Sequence, residues 1–151
     1  MTLASVVRSA TEGDLAGIDR IYDHYVRTWL LDHAGGRHRA FVAVDDGRVV
    51  GFAGSSRYRP RAAYNTTVET TVYVDPGFVG RGVGGSLYRT LFEAIEGEDV
   101  HRALAGIALP NDASIALHER FGFRRVAHFS EQGRKFGRYW DVDWYERPIA
   151  D

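Results

Sequence analysis

At 151 residues the chain has the length of one domain, enough to bury a core without covalent staples. It has no cysteine, which excludes a disulfide framework, a thiolate zinc site and a cysteine nucleophile. The formal net charge of −1 supplies no global attraction to nucleic acid or membrane, and no stretch approaches the ~20 apolar residues of a membrane span. The opening "MTLASVVRSATEGDL" lacks a charged-then-apolar signal pattern, so a cytoplasmic location is expected. "SVVRSA" predicts a first strand. Thr11 is placed to cap a helix, with Glu12 and Asp14 in its first turn. Leu15, Ile18, Ile21, Tyr22 and Tyr25 recur at helical spacing, which predicts an amphipathic helix over residues 12–28. "LLDHAGGRHR" is expected to be a loop or a frayed helical turn, broken by its glycine pair. Two apolar runs around Asp46-Gly47 predict a β-hairpin.

"TTVETTVYV" is rich in β-branched residues and predicts another strand, turned by Pro76-Gly77. Val83, Leu87, Leu91, Ala94 and Ile95 share one helical face, which predicts a helix over residues 83–96. "RALAGIAL" is nearly all apolar and is expected to be a strand covered on both faces. Asn111 or Asp112 is placed to cap a helix through "ASIALHERF", ended by Gly122. "FRRVAHFS" and "RYWDVDWYER" predict two closing strands. The order is β-α-β-β-β-α-β-α-β-β, a single α/β domain over 1–151. Its central crossover requires at least one parallel pair in a mixed sheet.

Five glycines fall between Gly77 and Gly85, at the entry of the 83–96 helix. "GRGVGG", Gly80 to Gly85, formally satisfies GxGxxG. Five residues separate it from the strand end at Val74, and Glu98 and Asp99 precede the next strand, which does not suit a dinucleotide fold. No Gly-Lys-Ser/Thr follows, so it is not a Walker A loop. Two readings remain. One is a turn that lets helix and sheet pack closely. The other is an anion site: glycines leave backbone N–H groups uncovered at a helix N-terminus, where the dipole adds about half a positive charge. Arg81 then adds a charge-assisted bond.

"GFVGRGVGGSLYRTLF" after a "VYV" strand resembles the pyrophosphate loop of the GNAT N-acetyltransferases, and "LPNDASIALHERFGFRRV" resembles the second half of that fold. "TVETTVYV", "PNDASIALHERFGF" and "IYDHYV" are similar to the phosphinothricin and methionine sulfoximine acetyltransferase branch. The likeness runs from about residue 5 to residue 148. It implies a GNAT fold: a mixed, mostly antiparallel sheet of six to seven strands with a parallel splayed pair, flanked by about three to four helices. It also implies acetyl-CoA as co-substrate. Carried over, Val72, Tyr73 and Val74 would meet the pantetheine and acetyl through their backbone. Gly80, Arg81, Gly82, Val83, Gly84 and Gly85 would hold the pyrophosphate, and Asn111 would lie on the pantetheine side. The chain departs at Val79, where the family usually has Gln or Arg.

Acetyl transfer to an amine needs a base for the amine, a donor for the oxyanion and a proton for the departing thiolate. Glu69 is the candidate base: it is the only acid in "NTTVETTVYV", and the resemblance puts a base there. A solvent-facing strand glutamate is the bland alternative. His118 is the candidate acid, at a point where most of the family carry tyrosine and this branch a histidine; it would alternatively serve as a second base or be a surface residue. His33 and His38 flank the glycine pair without a third ligand, so no metal site is expected. His24 matches the family and either lines the pocket or packs. His101 and His128 read as strand-edge residues.

"SSRYRPRAAYNTT" is a solvated loop, a nucleic-acid patch (disfavoured because no basic excess lies elsewhere) or, by resemblance, the acceptor contact, through Arg59, Pro60, Arg61 and Tyr64. A guanidinium fork suits an acidic amino acid or analogue. Between the first helix and Ala40 the family usually has a further helix and a longer loop, and "TWLLD" replaces a segment that carries acceptor contacts; a more open pocket is expected. The sequence therefore leaves three functions: N-acetylation of a small amino acid or analogue, a non-enzymatic acyl-CoA-binding sensor, and acetylation of a protein or other amine. The acceptor is expected to be a small molecule, with no nucleic-acid or membrane partner. The family commonly dimerises, and the aromatic "YWDVDWYER" either supplies apolar surface for a homodimer or belongs to the core.

Overall fold

A computed structural model describes residues 5–21 and 34–150. The strands are β1 (Val6–Ser9), β2 (Ala34–Gly35), β3 (His38–Asp45), β4 (Arg48–Arg57), β5 (Thr67–Val74), β6 (Arg102–Ala108), β7 (Arg124–Lys135) and β8 (Arg138–Pro148). The helices are α1 (Leu15–Ile21), α2 (Val83–Glu96) and α3 (Asp112–Arg120). The sheet order is β1-β3-β4-β5-β6-β8-β7, with β2 paired to β3. The β5–β6 pair is parallel and the other pairings are antiparallel. The expected fold class is borne out: a mixed, mostly antiparallel sheet with one splayed parallel pair and helices on its faces.

Two apolar clusters sandwich the sheet. On one face Phe41, Ala43, Ala53, Val68, Ala103, Ala105 and Ile107 pack with Leu87, Leu91 and Ile95 of α2. On the other, Val42, Val49 and Phe52 pack with Ile18 of α1. β3 and β4 feed both clusters, because successive side chains point to opposite faces of the sheet.

The hairpin at Asp46-Gly47 forms as expected, both residues at positive φ. The expected 12–28 helix begins with a 3-10 turn at Glu12–Asp14 and is helical through Ile21. The rest of that expected helix, with Tyr22, His24 and Tyr25, lies outside the described residues, as does His33 of the segment after it. Two readings need correction. The glycine pair does not sit in a plain loop: Ala34 and Gly35 pair with Arg39 and His38, making a tight hairpin. And β6 is not covered on both faces: Ala103, Ala105 and Ile107 are buried, while Gly106 and Ala108 are exposed. The apolar run reads as fully covered because the residues on its open face are small, and Trp144 leans over Gly106 there.

The start of α1 is fixed by charge. The buried Asp14 carboxylate accepts two bonds from Arg8 on β1, at 2.8 and 2.9 Å, and one from the Thr11 N–H at 2.8 Å. The Arg8 bonds, more than any other cause, hold its pKa below the ordinary 3.8. A depressed carboxylate stabilises the fold fully above its unfolded value, and the contribution is lost as pH falls through the folded one. Asp14→Ala is expected to cost about 2 kcal/mol in urea unfolding at pH 7, with the gap to wild type closing as the buffer is acidified below ~4.

Candidate active site

β5 and β6 run side by side for three residue pairs only: Thr67 with Arg102, Val68 with Ala103, Glu69 with Leu104. Beyond Glu69 they have no pairing with each other. β5 stays on β4 up to Val74, and β6 stays on β8 up to Ala108. The parting opens a cavity of about 780 Å³. Its walls come from both faces of the sheet: Phe52, Glu69 and Tyr73 on the α1 side, Tyr88, Leu117 and His118 on the α2 side. The cavity therefore passes through the sheet.

At one end lies the glycine turn. Gly82 stands at φ 79, a conformation that side chains disfavour, and it caps α2 without contributing a side-chain bond. The first N–H groups of the 14-residue helix thus lack a side-chain cap. Gly84 serves close packing instead: a Cβ there would stand 3.1 Å from Leu117 Cδ2 of α3. The entry to the turn is pinned by Asp75, which accepts from the Gly77 N–H at 2.9 Å and pairs with Arg48 at 2.9 Å and Arg20 at 3.4 Å. The Gly77 bond leads the causes that lower its pKa.

Gly80, Gly82, Val83, Gly84, Gly85, Val72, Tyr73, Val74 and Asn111 all line the cavity. Asn111 also caps α3, accepting from the Ser114 N–H at 3.2 Å. Arg81 is not in the lining; its guanidinium lies over the Phe78 ring at 4.8 Å. Val79 lines the cavity and is largely exposed. An uncapped helix N-terminus beside an open strand edge and a long cavity fits a ligand with a pyrophosphate at one end and an amide-bearing arm.

Glu69 lies at the vertex of the parting, half-buried, on the α1 face. Burial raises its pKa, and the positive charge of Arg59 works against that. His118 is on α3 and is not a surface residue: it is 3% exposed. Its Nε2 is 2.7 Å from Tyr88 Oη and its Nδ1 is 2.7 Å from the Ser114 carbonyl. Burial lowers its pKa, only partly offset by the Ser114 bond. Glu69 and His118 are thus brought to one cavity from opposite faces.

The arginine segment is not brought in to the same degree. Arg59, Pro60, Arg61 and Tyr64 are outside the cavity lining; Arg59 stacks on Tyr58 at 4.6 Å, and Tyr64 is exposed on the short turn Ala62–Tyr64. His128 belongs to the edge strand β7, as expected, and pairs with Asp143 at 2.6 Å. Among the described residues no group of three His, Asp or Glu is placed to hold a metal ion.

Sequence reasoning missed Tyr88 and Thr70. Tyr88 is fully buried, and its hydroxyl is 3.3 Å from Thr70 Oγ1 as well as bonded to His118. The available signal was a tyrosine inside an aliphatic stripe, since a buried phenol needs a polar partner.

The profile of the acetyltransferase (GNAT) family matches residues 6–123. A phosphinothricin N-acetyltransferase of Streptomyces coelicolor is 51% identical over 163 aligned positions, covering 95% of each chain. An L-methionine sulfoximine/L-methionine sulfone acetyltransferase of Pseudomonas aeruginosa is 31% identical, covering 95% of this chain and 94% of its own. Among solved structures, a GNAT phosphinothricin acetyltransferase from Sinorhizobium meliloti in complex with acetyl-CoA superposes with TM-score 0.88 at 27% identity, covering 97% of this chain and 89% of the other. The chain belongs to the GNAT acetyltransferase family, and its resemblance to the phosphinothricin and methionine sulfoximine branch is borne out. It is an acetyl-CoA-dependent N-acetyltransferase, with acetyl-CoA as its co-substrate; an enzyme is supported over a non-enzymatic sensor.

The Gly84–Leu117 contact ties the turn to α3. Gly84→Val is expected to push the two helices apart, lowering stability by about 1–3 kcal/mol in thermal unfolding and weakening acetyl-CoA binding in calorimetry.

Proposed function

We propose that the protein moves the acetyl group of acetyl-CoA directly onto the primary amine of a small amino acid or analogue of the phosphinothricin or methionine sulfoximine kind. One observation carries this reading: a single cavity runs from the glycine turn through the sheet to Glu69. The acceptor then approaches from the α1 face, and the acetyl end meets it at the vertex. Val72, Tyr73 and Val74 offer their strand edge to the pantetheine arm, with Asn111 across from it. Gly80 through Gly85 offer backbone N–H groups to the pyrophosphate, with Arg81 free to swing from Phe78 toward it.

Glu69 takes a proton from the acceptor ammonium, directly or through water. Its raised pKa brings it nearer the working range of a general base. His118 serves as the acid for the departing sulfur. Arg59, Pro60, Arg61 and Tyr64 receive the acceptor's acidic group at the rim; the influence of Arg59 on Glu69 supports this placement. The relatives' substrates support an acceptor that is an amino-acid analogue. We assign the protein to the cytoplasm and propose a homodimer through the β7–β8 hairpin, where Phe129, Phe136 and Tyr139 are exposed.

A second reading, acetylation of a protein N-terminus, is favoured by the exposure of the arginine turn. A ribosomal-protein-alanine N-acetyltransferase from Brucella melitensis also superposes with TM-score 0.86 at 31% identity. A thiol-release assay offering phosphinothricin, methionine sulfoximine and an alanine-terminated peptide separates the two: turnover of the small acids alone supports the first, turnover of the peptide alone the second.

Glu69→Gln is expected to lower kcat about 100-fold while the KM for acetyl-CoA stays within about threefold. In the wild type kcat/KM should climb with pH through the raised pKa of this carboxyl, because only its ionised form accepts a proton; the variant should lack that limb. The Arg59→Ala/Arg61→Ala double variant is expected to lose about tenfold or more in kcat/KM toward an acidic acceptor, and full retention would contradict the acceptor assignment.

A further inference from the structure

The hydrogen-bond directions around His118 are fixed by chemistry. The Ser114 carbonyl only accepts, so Nδ1 carries the proton of the neutral imidazole. Nε2 is then bare and accepts the Tyr88 O–H at 2.7 Å. Tyr88 Oη also lies within 3.3 Å of Thr70 Oγ1, which is 3.4 Å from the Leu104 carbonyl. Thr70 and Leu104 are where β5 leaves β6, so the phenol oxygen sits at the vertex of the parting. Burial favours the neutral form of both rings, lowering the pKa of His118 and raising that of Tyr88. The other titratable groups that act on the pair are Tyr73 of β5, from the α1 side of the sheet, and Tyr145 of β8, which packs beside His118 and is itself under the influence of Asp143 and Glu119.

An ammonium acceptor loses two protons in becoming an amide. Glu69 accounts for the first. The second must leave the nitrogen as the sulfur departs, and sulfur gains one. Neither ring of the pair handles that proton alone: His118 has both nitrogens engaged, and a buried phenolate is unfavourable.

We propose that Tyr88 and His118 form a two-member proton shuttle that carries the second proton from the acceptor nitrogen to the departing sulfur, with Tyr88 as the member that meets the reacting atoms. As the N–C bond forms, the surplus proton on nitrogen passes to Tyr88 Oη while the proton of Tyr88 passes to His118 Nε2. The C–S bond breaks with its electron pair on sulfur. Sulfur takes the proton of Tyr88, and His118 returns its own to Tyr88. The protein ends as it began; one proton resides in the thiol and the other leaves through Glu69 to water. This proposal rests on His118 serving the sulfur, and it makes that histidine act through Tyr88.

Two measurements test it. The first is nitrogen-15 NMR of the histidine rings in the free protein. The shuttle requires His118 protonated on Nδ1 and bare on Nε2, with the Nε2 resonance shifting in Tyr88→Phe. A proton on Nε2 in the wild type overturns the proposal whether or not any variant folds. The second is kinetic. Tyr88→Phe and His118→Gln are each expected to lower kcat about 100-fold, the double variant no further, with the KM for acetyl-CoA nearly unchanged. A plot of wild-type kcat against solvent deuterium fraction should be bowed, since two protons move together, and straight in Tyr88→Phe. If Tyr88→Phe keeps kcat within about twofold while His118→Gln loses 100-fold, the shuttle is refuted and direct action of His118 stands. If His118→Gln keeps its activity, the reading beneath the proposal fails.

Discussion

The structure depends on the point where β5 and β6 stop pairing. Each strand is held on its other side, β5 by β4 over seven residue pairs and β6 by β8 over seven. Neither is free to swing across and close the gap. The backbone edge that a longer parallel pair would have consumed is left facing a cavity, where the amide-bearing arm of acetyl-CoA is proposed to dock in place of a strand. The sheet is thus incomplete by construction, and the cavity through it follows from that.

What keeps the parting open is the core beneath it. Tyr88 is fully buried among Phe92, Phe121 and Phe123, with ring centroids 5.0 to 6.2 Å away. Its hydroxyl has to find partners in this apolar setting, and it finds them in Thr70 and His118. A core residue and the proposed proton carrier are therefore the same side chain. The aromatic packing that stabilises α2 and α3 against the sheet also sets the position of the phenol oxygen to within a hydrogen bond of the vertex. On the opposite face, Asp75 joins Arg48 of β4 and Arg20 of α1 to the turn that enters α2, so the glycine turn and the α1 face share an anchor.

Much of the framework was legible because burial writes periodicity into sequence. The strand with Glu69, the hairpin at Asp46-Gly47 and the helix Val83–Glu96 each followed from spacing or turn chemistry. The β6 strand was misjudged for a physical reason: Gly106 and Ala108 are small because one side faces a cavity and Trp144, and a run of small apolar residues looks the same whether it is covered or open. The short pairing of Ala34 and Gly35 was hidden because glycines signal turns without showing what lies on either side. Glu69 and His118 were nominated from resemblance more than from pattern. Tyr88 went unnoticed because it occupies the apolar stripe of its helix, and only a tertiary contact 30 residues away reveals what its hydroxyl does.

The central claim is that the open edge of β5 and the glycine turn of α2 form one continuous surface for acetyl-CoA. Amide hydrogen exchange with and without acetyl-CoA tests it most directly. Added acetyl-CoA should slow exchange in the Val72–Val74 strand and in the Gly80–Gly85 turn together, at the same ligand concentration. Protection of the turn without the strand, or of neither while the ligand is bound, would contradict it.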